Sequence, residues 1–151
     1  MTDLYPDEEG YIGDGAVIGF CRATAAIALH SAVQLHATGV SGVISVTAGA
    51  ADGDGIGVAL KEAAAAGDRI PVCFYGVVKM VAGAVLAEGD MAKNDASATY
   101  VLPIDTLTHD EFELWRGVSG GATSTAWRLG MCLQAAAASG DEFLLLVGRL
   151  T

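Results

Sequence analysis

Residues 56–74 read IGVALKEAAAAGDRIPVCF, and residues 129–147 read LGMCLQAAAASGDEFLLLV. Laid one over the other, Gly57 matches Gly130, Leu60 matches Leu133, the alanines at 63–65 match those at 136–138, and Gly67-Asp68 matches Gly140-Asp141. In each copy an alternating apolar run enters small residues, turns at Gly-Asp, and leaves in a second alternating run. Ile56, Val58 and Leu60 share one face of the first run, as do Ile70, Val72 and Phe74 of the second. Leu129, Met131, Leu133 and then Phe143, Leu145, Val147 repeat the arrangement. A period of two on both sides of a turn signal predicts a β-hairpin with a broad loop. The alanine tetrads favour helix by propensity, but Gly67 and Gly140 would end a helix at once, so at most one helical turn fits in the loop. Pro71 lies inside an outgoing run. It cannot donate a ladder hydrogen bond, so its strand is expected at a sheet edge or a bulge, where a partner chain could add.

Working outward, residues 16–22, 43–47, 77–81 and 98–102 also read as strands. Residues 25–35 and 82–93 are harder. Both run from small apolar residues through a break, His30-Ser31 or Glu88-Gly89-Asp90, to an apolar residue, Val33 or Met91. For the first, a helix capped by Thr24 is an open alternative. Thr108-His109-Asp110-Glu111 has the capping-box pattern, with Phe112 and Trp115 as an apolar edge and Gly117 as the stop, so a short helix is expected there. Residues 117–126 then form an uncharged, Gly-rich loop into Trp127. Trp127 reads as core, and Trp115 fits either core or a contact surface. The fold class expected is all-β, a barrel or sandwich with two related hairpins and one short helix.

Residues 1–14 include Asp3, Asp7, Glu8, Glu9 and Asp14 with no Lys or Arg, and show neither helical nor strand period. They read as an extended arm ahead of a single domain (15–151) that carries a helical insertion at about 103–127. Leu4, Tyr5, Tyr11 and Ile12 are the apolar residues of that arm. They and Pro71 are the candidate contact residues for a protein partner, while a frayed terminus is the plain alternative.

The chain of 151 residues carries 18 acids against 8 bases, a net charge of −10. Such a surface repels phosphates, so no nucleic-acid partner is expected. Hydrophobic types make up 52% of the chain but aromatics only 7%, which suits close-packed sheet and not a bulky core around a cofactor. Residues 23–51 hold no charge, yet Ser, Thr, His and Gln interrupt them throughout, so neither a membrane span nor a membrane partner is expected. No secretory signal is read at the acidic start. Cys21, Cys73 and Cys132 each sit in an apolar run and read as small hydrophobes in a reducing cytoplasm.

Nothing in the sequence calls for catalysis. The spacing of His30 and His36 is no ligand spacing on a helix or strand, and His109 stands at a helix start. Asp52-Gly53-Asp54-Gly55 opens like a calcium loop, but Ile56 and Ala63 occupy the fifth and twelfth positions, where oxygen ligands are required. Gly13-Asp14-Gly15 with Gly19 lacks the strand and spacing of a dinucleotide fingerprint. The expectation is therefore no catalytic residue, no metal and no cofactor.

The phrases at 57–77 and 130–150, with the intervening AGAVLAEGD at 82–90, resemble those of small phage and prophage proteins classed as capsid decoration (cement) or head-fibre-like proteins. That family reads G-V-A-x-x-A-A-A-G-(D/E)-x-V-x-V, then A-G-A-x-I-x-x-G-D, and closes with a second copy of the first phrase. TAAIALHSAVQL at 24–35 is similar to its opening phrase, with Ser31 where Gly is usual. The likeness spans most of residues 16–150, and 103–127 departs from it. The resemblance implies a small β-barrel of the β-tulip type. It also implies a homotrimer seated outside the virion on the major capsid protein lattice, made in the host cytoplasm. A head-fibre base or tail-associated trimer is the alternative it leaves, and a small-ligand-binding barrel is a third reading from a different class.

Overall fold

The computed structural model describes residues 11–37, 42–50, 55–104 and 129–148, with residues 11–14 described by backbone only. These residues form nine strands: β1 (Tyr11–Ala23), β2 (Ala32–Leu35), β3 (Ser45–Ala48), β4 (Gly57–Ala59), β5 (Arg69–Ala82), β6 (Met91–Asn94), β7 (Tyr100–Pro103), β8 (Gly130–Cys132) and β9 (Glu142–Val147). All nine belong to one hydrogen-bonded sheet, and no helix occurs among the described residues. The capping-box segment lies outside them.

The duplication runs deeper than the hairpin repeat. β1 pairs parallel with β3, β3 antiparallel with β2, β2 with β4, and β4 with the first part of β5, which returns to β1. The second part of β5 repeats the circuit through β7, β6, β8 and β9 and back to β5. β5 thus ends the first half and opens the second, which is why 70–74 and 77–81 form one strand instead of two. The isolated bridges Ile27–Ala63 and Leu86–Ala136 occupy equivalent places, with Leu86 standing for Ile27 and Ala136 for Ala63.

Two buried clusters form, one within the first half and one in the second half that also takes in Ala32, Val58, Leu60 and Cys73 of the first, and six positions correspond between them. Cys21, Ile27, Val33, Ala59, Ile70 and Val72 of the first stand where Met80, Leu86, Ala92, Cys132, Phe143 and Leu145 stand in the second. Where the second half has Ala for Val33, it has Met for Cys21 and Phe for Ile70, so volume is redistributed within a conserved apolar pattern.

Four corners of one design close the strands. Gly67, Gly89 and Gly140 have φ of +97°, +84° and +96°, and His30 takes the same role at +57°. The Asp68 carboxylate accepts the amides of Ala64 and Ala65 at 2.9 and 3.1 Å, and Asp141 accepts those of Ala137 and Ala138 at 3.0 Å each. Asp90 accepts the Ala87 amide at 2.8 Å. The alanine tetrads are therefore held as turns by an Asp at the exit, and Ala63 and Ala136 are consumed in the bridges. Residues 25–35 and 82–93 are corners leading into β2 and β6. The helix alternative for 25–35 is overturned, because the Ile27 amide and carbonyl are bonded across to Ala63.

The edge expected at Pro71 is not there. β5 is central, with Phe20 of β1 opposite Pro71 and Val58 and Ala59 of β4 opposite Cys73 and Val72. In a strand the N–H and C=O of one residue point to the same neighbour. The Pro71 carbonyl accepts the Leu60 amide at 2.9 Å, so the missing N–H falls just past the last residue of β4. The register irregularity lies further along, around Val17.

Candidate docking surfaces

Of the candidate contact residues, Leu4 and Tyr5 lie outside the described residues. Tyr11 and Ile12 belong to β1, where they face Val78 and Val77 of β5. The arm therefore gives up its last residues to the sheet, and one ladder edge at Tyr11 and Ile12 is already used. Pro71 is half-buried beside Phe20 and offers no free ladder.

His30 and His36 sit at opposite ends of β2, so no single site holds both. The His30 amide donates to the Ala59 carbonyl and the His36 amide to that of Ser45, each at 2.9 Å. His109 and Asp52-Gly53-Asp54 lie outside the described residues. Among the described residues no group of three or more His, Cys, Asp or Glu is placed to hold a metal. The three cysteines are free and buried. Burial pushes the thiols of Cys73 and Cys132 up to about 11, with the Asp90 carboxylate adding to the effect at Cys132. Cys21 is raised by burial alone. These thiols are the reverse of activated nucleophiles.

What the surface does offer is apolar side chains. Leu35 at the end of β2 is 61% exposed, and Val43 and Ile44 just ahead of β3 are also open. Phe20 is 63% exposed on β1, with Val17 and Tyr75 facing each other nearby. The Arg69 guanidinium lies 6.0 Å from the Phe20 ring centre. At the equivalent pair of positions in the second half, Lys79 and Glu142 form an ion pair of 2.7 Å. The same frame thus carries a cation over an aromatic ring on one half and an exposed salt bridge, worth at most about 1 kcal/mol, on the other. Sequence reasoning missed Phe20, Leu35 and Ile44 because alternation places apolar residues on faces without saying which face stays open.

The two halves meet at a small-residue junction. Asn94, fully buried at the end of β6, accepts the Gly55 amide through Oδ1 at 2.9 Å. The Ala98 carbonyl accepts the Ala32 amide at 2.8 Å. A Cβ at Gly55 would lie 2.8 Å from Asn94 Oδ1 and 3.1 Å from the Ala32 Cβ, so only glycine fits there. The turn end of the second half is thereby joined to the start of β2 and to the residue leading towards β4.

No family model and no curated protein matches the chain. Among solved structures, it is similar to the N base of the head fibre protein gp8.5 of bacteriophage phi29, with a TM-score of 0.54 and 18% identity. The match covers 90% of this chain and 98% of that one. At this identity the likeness is one of fold, and it extends over nearly the whole of both chains.

Proposed function

We propose that this chain is a structural protein of a phage virion, a decoration protein that binds the outer surface of the major capsid protein lattice as a homotrimer and stabilises the shell. The observation that carries the reading is the whole-length fold likeness to a head-fibre base. Exposed apolar side chains on a strongly acidic protein agree with it, since such side chains stay open when a partner is due to cover them. The protein works by binding and not by catalysis. Each copy bridging two shell subunits adds free energy that must be overcome before they part, and many symmetry-related copies act together. The arm residues Leu4, Tyr5, Tyr11 and Ile12 are the proposed shell contact.

A second reading, favoured by the identity of the structural neighbour, is the foot of a head fibre. Copy number in purified particles, counted by quantitative mass spectrometry, separates the two. Hundreds of copies per particle, removable by surface protease, support a lattice protein. A few dozen or fewer support a fibre foot, and none at all sinks both.

A further inference from the structure

β1 and the first part of β5 set two arginines directly across from each other, Arg22 in register with Arg69. The Arg22 amide donates to the Ile44 carbonyl at 2.9 Å, on the side away from β5, so the two arginines form a non-hydrogen-bonded pair. Such pairs bring their side chains closest, with Cα atoms about 4.5 Å apart. Like charges so placed destabilise a sheet. Among the described residues, neither guanidinium has a carboxylate within ion-pair distance. Asp68, next in sequence to Arg69, is taken up at its own corner by the Ala64 and Ala65 amides. In a chain with 18 acids and 8 bases, two adjacent cations left without an anion need a reason. The second half shows the same frame closing its own charge. There Val81 and Glu142 are the register pair, and Glu142 is neutralised by Lys79.

A separate observation lies on the same face. Ser45 is the register partner of Arg22 on its other side, so the two side chains leave the sheet in the same direction. Ser45 is 3% exposed, and its hydroxyl has no hydrogen-bond partner. A buried polar atom left unpaired calls for an explanation. Phe20, also open on this face, lies 6.0 Å from the Arg69 guanidinium.

We infer that Arg22, Arg69 and Ser45 form a binding site for a single oxyanion, a carboxylate or a phosphate group, held between the two guanidiniums. Each guanidinium offers a fork of N–H donors that matches such a group. The anion cancels the repulsion across the pair. A ligand that draws Arg22 outward also opens the Ser45 hydroxyl to one of its oxygens, and the Phe20 ring supports its apolar part. The net charge of −10 selects against polyanions. It costs one anionic group little, because charges beyond about 8 Å are screened at physiological salt. The site does not depend on the virion role.

The test follows the melting temperature of the full chain as a probe replaces chloride at constant ionic strength. The probes are inorganic phosphate and a short capped peptide with one glutamate. Wild type is expected to gain stability and saturate with at least one of them. Saturation by phosphate alone assigns a phosphate ligand, and by the peptide alone an acidic side chain of a partner. R22Q and R69Q are each expected to weaken saturation about tenfold or more, the loss of a charged hydrogen bond. S45A is expected to weaken it by a smaller factor. K61Q removes an exposed cation elsewhere and should respond as wild type does. Should a variant fail to fold, arginine-directed dicarbonyl labelling of wild type is expected to slow at Arg22 and Arg69 when the saturating probe is present. No saturation with either probe, a response kept by both arginine variants or by S45A at full strength, an equal loss in K61Q, or labelling indifferent to the probe would each overturn the site.

Discussion

At Gly67 and Gly140 the backbone φ is +97° and +96°, and a Cβ placed at either would meet nothing within 4 Å. Space is free, so any cost of substitution is conformational. Gly140→Ala should cost about 1–2 kcal/mol, read as a shift of the urea midpoint at constant slope. Asp141→Ala should cost about 0.5–1.5 kcal/mol by releasing two amides at the same corner. The cysteines give a second check. With Cys73 and Cys132 thiols near 11, only about one in a thousand of each is thiolate at pH 8. Alkylation should be very slow in the native protein and immediate in denaturant; fast native labelling would contradict the burial. Since these values lie above that of an unfolded thiol, their contribution to stability is intact below about pH 9 and is lost as pH rises towards 11. At this scale the sequence was legible wherever glycine announced a positive φ. Gly67-Asp68 and Gly140-Asp141 read directly as turns, whereas His30 holds the same conformation with a residue that carries no such signal.

Among the elements, β4 and β8 are only three residues each and depend on close backbone approach. A Cβ at Gly57 would lie 2.8 Å from the Cys73 carbonyl, and one at Gly130 would collide with the Leu146 carbonyl. Either glycine changed to alanine should part its hairpin and lower stability by more than about 3 kcal/mol, seen as early melting. Asn94→Ala removes the acceptor of the buried Gly55 amide and should cost about 1–3 kcal/mol, loosening one half from the other. Hydrogen exchange at the Gly55 amide would show it, and unchanged protection would contradict the junction. The paired alternating runs announced β4, β5, β8 and β9. β2 was not legible because Ala25, Ala26 and Ala28 carry helix propensity that the hydrogen bonds between Ile27 and Ala63 override, and β6 was not because Glu88-Gly89-Asp90 breaks the run ahead of it. Pro71 misled because proline is kept out of a central strand only where its missing N–H would face a ladder partner. Here β4 has already ended.

Across the whole molecule, one β frame used twice and sharing its long middle strand gives two cores and one internal junction. The repeat that sets Gly57 against Gly130 was visible in the sequence. A second correspondence, which sets Ile27 against Leu86, was legible only in outline: residues 25–35 and 82–93 share a small apolar run and a break, but reading Val33 beside Met91 is one residue out of the register that matches Val33 with Ala92. The exposed apolar residues were least legible, since alternation at Phe20, Leu35 and Ile44 does not say which face stays open. If the protein is a shell stabiliser, deleting residues 1–12 should weaken shell binding at least tenfold, though removal of Tyr11 and Ile12 also trims β1, so Leu4→Asp with Tyr5→Asp is the cleaner variant. The central claim is tested most directly by adding the purified protein to undecorated empty shells and recording saturable co-sedimentation together with the shell dissociation temperature. Stoichiometric binding and a rise of several degrees are predicted. Shells that sediment without the protein and dissociate at an unchanged temperature would contradict a stabilising role.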